Sequence, residues 1–384
     1  MKKKLVIITE ALGGGVRRHV LDLLMHLDTD KYDIYFLYGS NRIDSIMKSS
    51  LNEIKNRGIE LIEIDSFSNS IGLHDIKAFK NIYKEIKKIS PDIVHCHSSK
   101  AGALGRIVAK LQNVKQIYYT PHAYVFQSPD MSSKKKFIYI NIEKLLNKFF
   151  TTKTLNVSNG EKLIAIKSKL GKDKDFKVIY NGVSERINLE KHKLMELKEK
   201  LNLKDEEVII CNIARVDYQK NPKDFIEIAR RVCYKETNVK FLYVGDGELL
   251  DESRAKIKEY NLEEKIIFLG FSKDTDYILN LSNLFLTTSL YEGMPYSLIE
   301  ASRAKLPIIA TNVIGNNEIV EDGQNGYLFN RENIEDASLK IIELINDKNK
   351  LIETSNKSYK LFEDKFTIEN MIDKYEKLYS KEVM

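Results

Sequence analysis

Tyr291-Glu292-Gly293-Met294-Pro295-Tyr296-Ser297-Leu298-Ile299-Glu300-Ala301 sets two carboxylates eight residues apart, with a glycine and a proline ahead of an apolar run. Gly293 allows a turn that a Cβ would obstruct, and Pro295 is pre-set for the first position of a helix. This reading puts Glu292 on a loop and Glu300 about one turn inside the helix. The backbone N–H groups of the first turn then lie between the two carboxylates. Such a helix end attracts phosphate through its N–H groups and its dipole. A carboxylate beside it suits hydroxyls instead, so the pairing points to a ligand carrying both phosphate and sugar hydroxyls. Two solvated charges around an ordinary helix start have the same spacing, and the surroundings must decide.

Just before this stretch, residues 283–287 form an apolar run, so the whole reads as strand, loop and helix. The rhythm recurs. Residues 4–9, 33–38, 60–64, 92–95 and 116–120 read as strands, with helical patterns at 16–27, 75–88 and 100–111. It restarts at 208–213 and continues through 240–244, 265–269, 283–287 and 307–311. Strand-then-helix alternation predicts parallel sheets covered on both faces. Between the two series lie Asn181-Gly182-Val183 and a charged helical segment, 189–201, which places a hinge near Val183. The expected fold is α/β: two doubly wound, Rossmann-like domains facing across a cleft, with ligands at the carboxyl ends of the strands.

A chain of 384 residues is too long for one compact core, and 43% hydrophobic with 30% charged residues describes an ordinary globular protein. The basic start, Met1-Lys2-Lys3-Lys4, precedes an apolar run too short for a signal peptide, and no run is long enough to span a bilayer. Cys96, Cys211 and Cys233 are widely spaced, as buried thiols of a reducing compartment would be. No Cys/His cluster shows metal-ligand spacing, so no structural metal is expected. The charge is uneven: residues 1–180 carry 31 Lys+Arg against 18 Asp+Glu, while residues 181–384 carry 30 against 37. The basic half favours an anionic partner such as a phosphorylated substrate, nucleic acid or acidic membrane surface.

Motifs fall at the expected strand ends. Gly13-Gly14-Gly15 follows the first strand and opens a helix, which leaves helix N–H groups accessible to an anion. Tyr119-Thr120-Pro121-His122-Ala123-Tyr124 ends another strand; a lone histidine there is more often structural than functional. In Ala214-Arg215-Val216-Asp217-Tyr218-Gln219-Lys220-Asn221, the fork of Arg215 and the point charge of Lys220 could converge on a diphosphate. Val244-Gly245-Asp246-Gly247-Glu248 and Gly270-Phe271-Ser272 leave room for a flat base. Ile314-Gly315-Asn316-Asn317-Glu318 precedes Asp322-Gly323-Gln324-Asn325-Gly326, and Glu318 reads equally as a sugar contact or a helix cap.

The order of these loops over nearly the whole chain resembles the retaining GT-B glycosyltransferases of the glycosyltransferase 4 type, found in bacterial polysaccharide biosynthesis. The segment from Glu292 to Glu300 resembles their E-x7-E motif, and Arg215 with Lys220 their Arg…Lys pair. Ala214 and Asn221 stand where that family typically has glycines. The resemblance implies catalytic roles for His122, Arg215, Lys220 and Glu292. It implies donor contacts from Gly14, Gly15, Gly245, Gly247, Phe271, Ser272, Gly293, Met294, Pro295, Tyr296, Ser297, Leu298, Glu300 and Glu318. His122 would touch the donor sugar, Glu292 its hydroxyls, Glu300 the ribose, and the backbone of Phe271 and Ser272 the base. The implied domains are 1–183, for the acceptor, and 184–365, for the nucleotide sugar, with the helix 366–384 crossing back to the first. No Asp-x-Asp motif of the metal-dependent sugar-transferase class is recognised, so no cofactor and no divalent metal are expected.

The expected reaction is retaining transfer from a nucleotide-diphosphate sugar, with uracil as the favoured base, to a glycan acceptor. Met131-Ser132-Ser133-Lys134-Lys135-Lys136-Phe137-Ile138-Tyr139-Ile140 interleaves basic and aromatic residues, as suits an anionic bilayer surface. Residues 142–150 taken alone fit a core-packed helix better. With the basic half, this favours a lipid-diphosphate-linked glycan acceptor and a cytoplasmic enzyme, peripheral on the inner face of the cell membrane through its N-terminal domain. A transferase with a soluble acceptor would differ only at the acceptor pocket. An epimerase would need acid/base pairs on both sides of the sugar, which are not found. A non-catalytic nucleic-acid binder would leave Arg215, Lys220 and the two glutamates without purpose, so no nucleic acid is expected as a partner.

Overall fold

Leu5 and Ile7 point into one buried cluster and Val6 and Ile8 into another, the period-2 signature of a strand covered on both faces. A computed structural model describes residues 2–67, 72–128 and 131–381. The chain forms two units, residues 1–181 with 368–384, and residues 182–367.

In the first unit the strands are β1 Lys3–Thr9, β2 Tyr32–Tyr38, β3 Glu60–Glu63, β4 Ile93–His97, β5 Gln116–Thr120, β6 Lys153–Asn156 and β7 Phe176–Val178. They lie in the order β3-β2-β1-β4-β5-β6-β7, and every pairing is parallel. The order reverses between β1 and β4. Loops leaving those two strands diverge to opposite faces and leave a crevice at their carboxyl ends, where this topology binds ligands.

The last helix, Ile368–Ser380, belongs to this unit. Ile368, Met371, Ile372, Tyr375, Leu378 and Tyr379 recur at three- and four-residue steps and are all buried in the cluster that holds Leu5, Ile7 and Tyr32. Lys31 Nζ pairs with Glu376 at 2.8 Å and anchors the helix at its exposed side.

In the second unit the strands are β8 Val208–Ile213, β9 Val239–Val244, β10 Ile266–Gly270, β11 Leu284–Thr287, β12 Ile308–Thr311 and β13 Gly326–Phe329. Their order is β10-β9-β8-β11-β12-β13, again parallel, with the reversal between β8 and β11. Phe225, Phe241, Tyr243 and Phe268 meet edge to face or stacked in its core. Val183 is buried, and its N–H donates to Phe366 O at 3.0 Å, so the chain's entry to this unit is bonded to its exit. Cys96 and Cys211 are buried and Cys233 is half-buried; all three are free thiols, and burial pushes Cys96 and Cys211 up to about 12.

Candidate functional site

In the second unit the loops leaving β8 and β11 flank the reversal point and are stitched together. Gln219 Nε2 donates to Tyr291 O at 2.9 Å, and Leu290 N donates to Gln219 O at 2.8 Å. Thr288 Oγ1 donates to the carbonyls of Lys220 and Asn221 at 3.0 and 2.9 Å. Those bonds fix the two loops side by side, and the Lys220 ammonium then forms an ion pair with the Glu292 carboxylate. The two side chains are only 15% and 8% exposed. Arg215, by contrast, leaves 65% of its side chain in solvent while Asp217 at 2.7 Å and Gln219 Oε1 at 3.1 Å hold its guanidinium in place. Seventy-two residues of sequence thus separate two groups that touch.

Glycines bring the neighbouring loops close. A Cβ on Gly245, whose φ is +147°, would lie 1.8 Å from Ala214 O, and one on Gly247 would lie 2.4 Å from Val216 O. Gly315, at φ +86°, abuts Gly293, where a Cβ would be 2.6 Å from its carbonyl oxygen. Only glycine tolerates such backbone-to-backbone approach, and at Gly245 and Gly315 the positive φ adds to the demand. The helix Tyr296–Arg303 starts one residue later than the proline rule places it: Pro295 is the N-cap and offers no side-chain acceptor to the first turn. Met294 and Leu298 are buried and seat the turn, while Ser297 and Glu300 are half-buried. Phe271 follows β10 with its side chain 60% exposed, and Ser272 Oγ accepts from Asp274 N at 3.0 Å. Glu318 lies inside the short helix Asn316–Ile319, half-buried, rather than at its N-cap, which is Gly315.

The first unit holds a second constellation at the same kind of reversal point. Glu10, just after β1, accepts from Ala101 N at 2.8 Å and from the Ser98 hydroxyl, so it caps the helix Ser99–Leu111 that follows β4. Added Cβ atoms on Gly13 and Gly14 would meet open space, and the helix Gly14–His26 begins there. His122, half-buried at φ +57°, sits after β5, and its Nε2 lies 3.0 Å from His97 Nδ1. His19 Nδ1 bonds Asn181 Oδ1 at 3.0 Å and its Nε2 bonds Tyr375 OH at 3.1 Å. His95 lies between Tyr379 OH at 2.7 Å and Thr120 Oγ1 at 2.8 Å. His19, His97 and His122 each place one ring nitrogen within 4.8 Å of the others. Spacing in the sequence does not reveal this cluster, because three distant segments build it.

Two family models match the chain: Glycosyltransferase Family 4 over residues 13–186, and Glycosyl transferases group 1 over residues 195–361. Over 373 residues, 95% of this chain and 93% of the other, it is 32% identical to an Escherichia coli protein. That protein is UDP-Gal:alpha-D-GlcNAc-diphosphoundecaprenol alpha-1,3-galactosyltransferase. The chain belongs to glycosyltransferase family 4. It is also 26% identical, over 94% of its length and 96% of the relative's, to the capsular polysaccharide biosynthesis glycosyltransferase CapM of Staphylococcus aureus. Among solved structures, Anabaena HepE in complex with UDP and glucose superposes with a TM-score of 0.82 at 18% identity, covering 98% of this chain and 99% of that one. The fold is GT-B.

Within this glycosyltransferase, Arg215, Lys220, Glu292 and the turn from Gly293 to Tyr296 come together at one reversal point, whereas His122 belongs to the other unit. Reading motifs missed Glu10, His19, His95 and His97. The pair His95-Cys96-His97 carried a signal, since residues two apart in a strand share a face, and their rings lie 4.0 Å apart. The sequence reading is also corrected on one point: Asp-x-Asp triplets do occur, at Asp28–Asp30, Asp173–Asp175 and Asp274–Asp276. Each has a local structural role, because Asp28 pairs with Lys31, Asp173 with Lys162 and Asp276 with Arg303.

Burial lowers His19 to about 4, against the opposing bond from Asn181, and holds His95, His97 and His122 well below the usual imidazole range. The folded state therefore keeps these rings neutral, while the unfolded chain protonates them near 6.5. Their contribution is complete above that pH and is lost as acid carries the solution from 6.5 towards 4. His19 costs up to about 1.4 kcal/mol per pH unit in that window, and the other three rings act in the same direction. Urea unfolding midpoints measured across it should fall steadily on acidification, and a flat profile would show that the rings are not held neutral.

Proposed function

We propose that this glycosyltransferase moves a sugar, with retention of anomeric configuration, from a UDP-sugar to a hydroxyl of a lipid-diphosphate-linked glycan during cell-surface polysaccharide synthesis. The observation that carries this reading is the shielded Lys220–Glu292 pair beside Arg215 at the β8–β11 reversal point, where the helix Tyr296–Arg303 also begins. A diphosphate would draw Lys220 away from Glu292 and add Arg215 and the helix end, which concentrates positive charge where the leaving group becomes negative. The released Glu292 carboxylate is then an acceptor for sugar hydroxyls, and Glu300 for those of the ribose. His122 keeps the donor-sugar contact that the resemblance assigns to it, and burial keeps it neutral there. Support for the substrates comes from the E. coli relative, named for UDP-Gal and a diphosphoundecaprenol-linked acceptor.

The bond from the anomeric carbon to the diphosphate oxygen breaks, and the acceptor oxygen bonds the same face of that carbon. The acceptor's proton passes to the departing phosphate oxygen. Arg215, Lys220 and the helix end supply the countercharge, so transfer needs no divalent cation. Incubating the enzyme with a panel of nucleotide sugars and a diphosphate-linked acceptor, followed by NMR of the product's anomeric proton, tests the reading. A UDP-sugar should be used, its configuration kept, and the rate unchanged by EDTA. An inverted product or complete loss of turnover under EDTA would contradict it.

A further inference from the structure

His19, His97 and His122 come from the helix after β1, the end of β4 and the turn after β5, three neighbouring strands of the first unit. Each offers one ring nitrogen, and the three nitrogens lie within 4.8 Å of one another. His19 and His97 are completely buried, and His122 is half-buried. The turns leaving β4 and β5 are bent to bring the rings together. Ser98, His122 and Ala123 all stand in the left-handed region, at φ +65°, +57° and +81°, although none is glycine. Such conformations persist where the surroundings impose them. The buried Glu161 carboxylate does so here, accepting from Ala123 N and, at 2.9 Å, from Val157 N.

The hydrogen bonds of the cluster leave it one short. Asn181 Oδ1 can only accept, so His19 Nδ1 carries the proton and its Nε2 lone pair faces the Tyr375 hydroxyl. His97 Nδ1 and His122 Nε2, 3.0 Å apart, bond each other through a single proton. His97 Nε2 is then buried with no hydrogen-bond partner among the described residues, which carries the desolvation cost of an unmade bond. We propose that these three rings bind one divalent transition-metal ion, with Zn²⁺ the ion that fits them best. Three histidines and an open fourth position are an established zinc arrangement, and the half-buried side at His122 leaves that position to water. The set holds nitrogen donors and no carboxylate, so it favours zinc and its neighbours over Mg²⁺ or Ca²⁺. The ion would replace the Tyr375 hydroxyl at His19 Nε2, while the bond from Nδ1 to Asn181 orients the ring from outside. Ligand nitrogens on zinc lie about 3.4 Å apart, so closing the set takes ring movements of roughly 1 Å. The site belongs to the first unit and adds nothing to the countercharge on the diphosphate, so it goes beyond the proposed reaction.

The full-length protein, dialysed against EDTA and then freed of it, is titrated by calorimetry with Zn²⁺, Co²⁺ and Mg²⁺. One equivalent of Zn²⁺ should bind, Co²⁺ should bind more weakly and Mg²⁺ not at all. Zn²⁺ should also raise the melting temperature. His122→Gln changes a half-buried ligand, and Asn181→Ala removes the bond that orients His19. Each should weaken Zn²⁺ binding by about tenfold or more. Tyr375→Phe removes only the hydroxyl that competes for His19 Nε2 and should bind Zn²⁺ at least as tightly as wild type. His192→Gln alters an imidazole exposed on the second unit and should change nothing. Melting temperatures of the metal-free variants establish that each is folded. Wild-type protein that takes up no Zn²⁺, binding undiminished in both His122→Gln and Asn181→Ala, or binding lost in His192→Gln would overturn the proposal. Turnover is not read, so failure of this site and failure of the transfer reaction are told apart.

Discussion

Lys220→Ala should reduce transfer about a thousandfold, the upper range for removing one preorganised donor to a developing negative charge. The ammonium is shielded, and its backbone is held by Asp217 and Thr288, so its position is fixed ahead of the reaction. Arg215 remains, but its guanidinium is exposed and its charge is more strongly screened. The substitution also leaves Glu292 shielded without its partner, which should lower stability by about 1–3 kcal/mol. The double variant Lys220→Ala, Glu292→Gln separates these effects. It should regain much of the lost stability, measured by thermal unfolding, and none of the lost rate. Near-normal turnover in the single variant would remove Lys220 from the reaction.

Arg106→Met should be the most damaging single change to the fold of the first unit. Arg106 is completely buried, with Nη2 on Glu143 at 2.9 Å, Nε on Gly102 O at 2.7 Å and its guanidinium 3.7 Å from the centre of the Tyr119 ring. Gly102 is part of the same arrangement, because a Cβ there would come 2.3 Å from Tyr119. Removing the cation strands Glu143 in a shielded site, at a cost of about 3–5 kcal/mol. Calorimetry should show a melting temperature lower by about 10 °C. Adding Glu143→Leu should recover most of the loss, since an apolar pair of similar volume escapes the desolvation penalty. If the single variant melts with the wild type, the buried pair contributes nothing net.

The sequence showed most plainly what burial on two faces imposes. Runs such as Lys4-Leu5-Val6-Ile7-Ile8-Thr9 and Val208-Ile209-Ile210-Cys211-Asn212-Ile213 are strands because apolar residues continue through both phases of the pleat. β6, β7 and β13 escaped notice for the opposite reason. Each has three or four residues, and Lys153-Thr154-Leu155-Asn156 has no apolar pattern; pairing with β5 makes it a strand. The second unit's site was legible because its residues sit in two local motifs, although their contact across 72 positions was not. The histidine cluster was illegible, since its members come from one helix, one strand end and one turn. Residues 142–150, read alone as core-packed, proved only half so: Leu146 is buried while Leu145 and Phe149 face outward.

In the proposed reaction, the diphosphate of an activated sugar is gripped by the cations and helix start at the β8–β11 reversal point. A crystal structure of the protein with UDP tests it most directly. Diphosphate oxygens should lie within hydrogen-bonding distance of Lys220 Nζ, the Arg215 guanidinium and the first turn of the helix Tyr296–Arg303, with the ribose against Glu300. UDP bound elsewhere, with the Lys220–Glu292 pair undisturbed, would contradict it.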